Sequence, residues 1–230
     1  MDEHVTQAPT SPLALGVDAR AAKLGESVLR RRRVALLRAG VWALGLWPTL
    51  RLGWLAWRDG LGANPIEALL HRTGDWTLVF LLVTLAVTPL RRLTGWNVLI
   101  QIRRPLGLFA FYYASLHFLG MYLVLDQTLD WEFIWEDIAE RPFITVGFAA
   151  WLILVPLALT STRSAVRRLG RRWALLHRGV YVATALGLVH FYWKVKADTF
   201  WPLVAIGVFA VLMAARWWAR RVARPVARGT

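Results

Sequence analysis

The stretch "HRGVYVATALGLVH", residues 177–190, places an imidazole at each end of an otherwise almost wholly apolar run. What two histidines do in such a segment depends on the solvent around it. Apolar runs of roughly 17–25 residues with few charges read as transmembrane helices, because a bilayer core of about 30 Å takes about 20 residues at 1.5 Å each. Working outward from 177–190, the chain offers six such runs: 39–57, 76–93, 106–125, 143–161, 179–193 and 200–218. With 57% hydrophobic residues and 14 tryptophans in 230 residues, a water-soluble fold could not cover its apolar surface. The expected fold class is therefore an all-α integral membrane protein, a six-helix bundle over 34–220. A disordered, basic-ended tail is expected over 1–33 and a basic tail over 221–230. The basic run before the first span resembles a signal peptide, but Arg38 and Arg51 interrupt it and no small-residue cleavage site follows, so a retained helix is expected.

A net charge of +14 would suggest nucleic acid in a soluble chain. Its distribution argues otherwise. The basic blocks are Arg30–Arg33 with Arg38, then Arg91, Arg92, Arg103 and Arg104, then Arg163 to Arg178, then Arg216 to Arg228. In a six-span chain these flank one side only, whereas the intervening loops are acidic or mixed. Lys and Arg accumulate on the cytoplasmic side, so both termini are expected there, with no nucleic-acid partner. The chain has no cysteine, which excludes disulfides, thiolate nucleophiles, iron–sulfur clusters and covalently attached c-type haem.

Depth sorts the histidines. His117 lies 13 residues past Arg104, and His190 lies 13 past His177. Each separation is about 20 Å along a helix axis. His117 and His190 are therefore level in the outer half of the bilayer, on helices running the same way, while His177 is level with Arg103 and Arg104 at the inner face. An ionisable residue inside a span is a functional candidate. Two level imidazoles facing across a helical bundle match the axial ligand pair of a b-type haem. Packing between helices is the bland alternative. Zinc or copper would want three or four ligands, and no Asp or Glu falls within these six runs. Gly120 and Gly187, each three residues from a ligand histidine, are expected to make room for the macrocycle.

An inner site of different character is expected at Arg103, Arg104 and His177. It could hold the phosphate of a flavin, a quinone head group or haem propionates, or the arginines could be plain membrane anchors. A second haem there would need His177 as a ligand, although His177 and His190 fall about 140° apart around an ideal helix. Arg51, Lys194 and Lys196 are candidate partners for propionates of the outer haem, with snorkelling to head groups as the alternative for Arg51. The outer loop "DQTLDWEFIWEDIAERP" could lie on the membrane surface or dock a partner.

Several stretches in order, "NPIEALLHRTGDW", "RRPLGLFAFYYASLH", "RPFITVGFAAW", "TSTRSAVRRLGRRWALLHRGVY" and "HFYWKVK", resemble the MsrQ (formerly YedZ) family of the ferric-reductase-like transmembrane group. The resemblance covers residues 40–220. It implies a six-helix protein of the bacterial inner membrane that carries haem b, one or two, and is associated with FMN. Its implied role is to pass electrons from the quinone pool or a cytoplasmic flavin reductase to a periplasmic molybdenum-cofactor subunit, MsrP, which reduces methionine sulfoxide in oxidised proteins. The family's histidines fall on His117, His177 and His190 and its paired arginines on Arg103 and Arg104. On that reading the chain is an electron-transfer subunit, with substrate reduction left to the partner.

Two other classes remain open. A stand-alone ferric-reductase-like enzyme would normally bring a flavin and nicotinamide domain, and no Gly-rich dinucleotide fingerprint occurs. A small transporter would be expected to show discontinuous helices or acidic residues within the spans, and a pure membrane anchor would need no level histidines. The absorption spectrum of the purified protein separates them: a reducible bis-imidazole haem spectrum is expected, and a colourless protein would leave only transporter or anchor.

Overall fold

The computed structural model describes residues 12–195 and 198–222, with side chains from Leu24 onward except those of Arg220 and Val222. Lys196 and the ends of both expected tails lie outside the described residues. Among them the chain is helical throughout, without a strand.

Helix α1 (Pro12–Trp57) is a single run of 46 residues. The sequence reading left 1–33 without regular structure; from Pro12 onward the backbone is instead helical. Over 12–33 it is rich in Ala, Leu, Arg, Lys and Glu, which are strong helix formers, with Gly16 and Gly25 as the glycines among them. Helix α2 (Pro65–Thr94) begins eleven residues before the expected span. The Asn64 side chain accepts from the Glu67 amide at 3.2 Å, Pro65 occupies the first turn, and Gly95 (φ 71°) closes the helix in the left-handed region. A 3₁₀ turn (Asn97–Gln101) leads into α3 (Arg103–Ser115). The helix then widens into a π-helix over Leu116–Asp126. Helix α4 (Trp131–Glu140) is short and lies before α5 (Pro142–Leu159). The chain then continues in pieces, α6 (Arg163–Leu169), α7 (Arg171–Leu176) and α8 (Gly179–Lys194), with breaks at Gly170 (φ 48°) and at His177–Arg178. Helix α9 (Phe200–Val222) completes the chain.

Among the described residues five segments are long and apolar enough to cross a membrane: Pro65–Thr94, Arg103–Asp126, Pro142–Leu159, Arg171–Lys194 and Phe200–Ala219. Helix α1 is not among them. Its apolar part carries Arg51 and draws much of its bulk from Trp and Gly, which contribute little hydropathy. Helix α5 packs chiefly on α8 and α2 chiefly on α3, around a core that includes Leu78, Leu81, Phe109, Ala110, Tyr113, Leu154 and Ala183. Leu44, Leu50, Val83, Leu152, Val182 and Val211 stay exposed, as suits a protein whose outer solvent is hydrocarbon.

Two prolines inside helices each fall where another helix supplies a polar group. Pro89 has no amide to bond the Leu85 carbonyl one turn earlier. Arg216 of α9 donates to that carbonyl and, at 2.9 Å, to the Tyr181 hydroxyl. In α1, Pro48 opens the turn, and the buried Tyr113 hydroxyl bridges Gly45 and Thr49. It donates to the Gly45 carbonyl at 2.7 Å and accepts from the Thr49 hydroxyl at 2.9 Å and amide at 3.2 Å. This bridge is the polar tie of α1 to α3. Tyr113→Phe should therefore lower stability by about 1–3 kcal/mol, read as a reduced thermal midpoint in detergent. An unchanged midpoint would mean that the hydroxyl does not hold α1.

Candidate functional site

His117 is the second residue of the π-helical segment and His190 lies in α8. Their ring centres are 6.1 Å apart with planes at 76°. Each ring is oriented in the same way. His117 Nδ1 lies 3.0 Å from the Leu70 carbonyl of α2, and His190 Nδ1 lies 2.6 Å from the Phe143 carbonyl of α5. A carbonyl can only accept, so Nδ1 carries the proton in both rings and Nε2 keeps its lone pair.

Each carbonyl is reachable because of a glycine one turn later. A helical side chain leans toward the N-terminus and covers the turn before it, so a side chain at Gly74 or Gly147 would cover the carbonyl that the histidine uses. A Cβ on Gly74 would lie 3.3 Å from His117 Cε1, and one on Gly147 would lie 2.7 Å from His190 Nδ1. The two half-sites, Leu70–Gly74–His117 and Phe143–Gly147–His190, are thus built alike.

The pair opens on a cavity of about 300 Å³. Its deep end is apolar, with Leu78, Leu81, Ala114, Leu154 and Ala183. Its outer end is polar, with His71, Asp75, Tyr122, Asp137, Arg141 and Lys194. His117 and His190, with ring centres 6.1 Å apart, are the two residues that would hold a haem iron between them. Their free Nε2 lone pairs are the donors such a site needs. Among the described residues no group of three or more His, Cys, Asp or Glu side chains could hold a metal ion, which leaves a two-nitrogen site. The residues present fit a bis-imidazole haem.

At the outer end Asp137, 4% exposed, pairs with Arg141 Nε at 3.0 Å and accepts from the Tyr122 hydroxyl at 3.1 Å. This joins α4 to the π-helical segment and α5, so the loop read as a surface or docking stretch is a helix with Ile134 and Asp137 buried and Trp131 and Trp135 exposed.

A second, larger cavity of about 810 Å³ lies toward the other end of the bundle. Arg103, Arg104 and His177 line it together, joined by Arg38 of α1 and Arg163 of α6. His177 stacks on Trp173 with ring centres 4.0 Å apart, and its Nε2 is 3.1 Å from the Thr160 hydroxyl. Arg38 donates to Gln101 Oε1 at 3.0 Å. Leu81 and Leu154 line both cavities and so separate them.

Several expectations change here. Arg51 is exposed and lines neither cavity, so its depth did not bring it to the outer site. Gly187 lines the outer cavity but Gly120 does not; a Cβ there would meet Leu116 of its own helix at 3.2 Å. The π-helical winding after Ser115 changes the facing that a 3.6-residue period assigns. Asp75, read as loop, sits in α2 on the cavity wall. Gly74 and Gly147 were not singled out from sequence, and Arg38 and Arg163 were read there only among the membrane-flanking basic blocks. The Asn-Pro-x-Glu cap before α2 would have put Gly74 on a helix, but nothing local marks its facing toward His117.

Gly147→Ala should displace His190 and cause a large loss of bound haem, and Gly74→Ala a smaller one, because the first added methyl overlaps the ring and the second only crowds it. Haem-to-protein ratios after purification check this; equal, full occupancy in both would contradict the half-site geometry.

A family model described as a ferric reductase like transmembrane component matches residues 73–188. A protein of Ralstonia nicotianae named protein-methionine-sulfoxide reductase heme-binding subunit MsrQ is 52% identical over 202 residues, covering 86% of this chain and 93% of its own length. Proteins of the same name from Xanthomonas euvesicatoria pv. vesicatoria and Bordetella parapertussis are 50% identical over 190 residues and 48% over 198. They cover 80% and 84% of this chain, and 87% and 96% of their own lengths. Identity near one half, sustained along nearly the whole of each relative, makes this chain a member of the MsrQ family within the ferric-reductase-like transmembrane group.

Proposed function

We propose that this chain is the haem-carrying electron-transfer subunit of a protein-methionine-sulfoxide reductase system in the bacterial inner membrane. It would cross with six helices, α1 included, and keep both termini in the cytoplasm, in keeping with the one-sided distribution of arginine. Electrons from the quinone pool or a cytoplasmic flavin reductase would arrive on the inner side. They would leave on the outer side toward a periplasmic molybdopterin subunit of the MsrP type, where sulfoxide reduction takes place. FMN accompanies haem b in this reading as a second cofactor.

The observation that carries the reading is the matched pair of histidines. His117 and His190 each commit Nδ1–H to a backbone carbonyl, which leaves Nε2 unprotonated, and both rings line the same cavity. Haem b, when bound there, supplies a one-electron couple inside the membrane. The carbonyls of Leu70 and Phe143 orient the rings and raise their basicity as donors. Leu78, Leu81 and Ala183 exclude water from the deep end. Lys194 offers a cation to a propionate at the outer rim. His177, Arg103 and Arg104 belong to the electron-input side, where His177 lacks a facing imidazole: no other histidine lines that cavity among the described residues. One haem in the outer cavity is therefore the favoured stoichiometry.

His117→Ala and His190→Ala should each abolish the low-spin haem signal in reduced-minus-oxidised spectra, and full occupancy in either would refute the ligand assignment. His177→Ala should retain most of the haem and slow its reduction by the inner donor in stopped-flow measurements. Loss of haem equal to that of the other two would make His177 an axial ligand as well.

A further inference from the structure

We infer that Thr73 is a positioning residue for His117: its hydroxyl is a second acceptor for the ring Nδ1–H and makes His117 a stronger iron donor than the Leu70 carbonyl alone would. The inference deepens the haem reading of the His117–His190 pair and rests on it for the effect on iron. The contact itself belongs to the chain and needs no haem.

The two half-sites are built alike except at one position. Gly74 lies four residues after Leu70, and Gly147 four after Phe143. The residue just before each glycine is Thr73 in α2 and Val146 in α5. These side chains have nearly the same shape and differ by a hydroxyl in place of a methyl. Thus α2 carries a polar atom at the helical position where α5 carries hydrocarbon.

Thr73 is 0% exposed. Its Oγ1 lies 2.7 Å from the Leu69 carbonyl, 3.1 Å from the Leu70 carbonyl and 3.4 Å from His117 Nδ1. A hydroxyl has one hydrogen, and the shortest contact takes it, so Oγ1 donates to Leu69 one turn back. Thr84 and Thr184, also buried, make the same bond along their own helices. Thr73 adds a ring nitrogen. Of its two remaining neighbours the Leu70 carbonyl can only accept, so the His117 N–H is the donor for the free lone pairs of Oγ1. That N–H is therefore forked, with 3.0 Å to Leu70 and a weaker second arm of 3.4 Å to Thr73. His190 instead makes one arm of 2.6 Å to Phe143.

An acceptor on Nδ1–H raises the basicity of Nε2, the atom that would meet the metal. A more basic ligand favours ferric over ferrous iron, because the higher charge gains more from it, and such hydrogen bonds are one of the levers on haem potential. The Thr73 hydroxyl therefore lowers the potential and makes the reduced site a better electron donor to its acceptor.

The test compares the full-length chain with Thr73→Val, which removes the hydroxyl at nearly constant shape, and with Thr73→Ser, which keeps it. Nitrogen-15 NMR of histidine-labelled protein in the reduced, diamagnetic state follows the two Nδ1–H resonances, assigned through their contacts with Gly74 and Gly147. A redox titration of the haem absorption gives the midpoint. In Thr73→Val the His117 resonance should move and that of His190 should stay. The ferric–ferrous equilibrium should shift about threefold toward ferrous, a rise of about 30 mV for one electron. Thr73→Ser should match the unaltered chain in both. An unmoved His117 resonance overturns the inference, as does a midpoint that stays or falls, or a serine variant that behaves like the valine one. If Thr73→Val does not fold, Thr73→Ala carries the same comparison. A bis-imidazole haem with neither quantity moved leaves the haem reading intact and sinks this one. A His117 resonance that answers to Thr73 in a chain without haem sinks the haem reading and leaves the shared N–H standing.

Discussion

Both ligand candidates depend on one interaction made twice: an imidazole N–H donated to a helix carbonyl that a glycine leaves uncovered. In water such a carbonyl would be solvated and the ring could turn. In hydrocarbon neither group has an alternative partner, and an unmade bond costs the full desolvation of both. The bonds from His117 to Leu70 and from His190 to Phe143 therefore set tautomer and ring direction together. They also tie α2 to the π-helical segment and α5 to α8, the packing on which the outer cavity rests.

The same rule explains the irregular backbone. Pro48 and Pro89 each disturb a helix where the freed or loosened groups find a partner on another helix, Tyr113 in one case and Arg216 in the other. Irregularity at membrane depth is tolerated where protein rather than lipid meets it. These sites act as joints between helices, and they hold α1 and α9 against the central four-segment core.

The two ends of the interior differ in chemistry. The histidine-lined cavity has apolar walls and also Asp75, Asp137, Arg141 and Lys194; the other has arginines with no lining carboxylate among the described residues. Leu81 and Leu154 form a thin apolar partition between them. One cavity is lined by four arginines and the other by a pair of imidazoles, and two side chains keep them apart.

Much of this was legible in the sequence. The apolar runs at 76–93, 106–125, 143–161 and 200–218 announce spanning helices because hydrocarbon admits nothing else of that length, and equal counts of 13 residues put His117 and His190 at one level whatever the packing. The grouping of Arg103, Arg104 and His177 follows from the same counting. Facing is a different matter. It is set by helix winding and by neighbours far along the chain: Gly120, in the π-helical segment, does not line the site, while Gly74 and Gly147 on other helices lie against the two histidine rings. Arg51 had the right depth on the wrong face, while Arg38 and Arg163 joined the inner pocket across more than fifty residues. Depth is a sum over local rises and can be read along one strand of text; direction around an axis is decided only when helices meet.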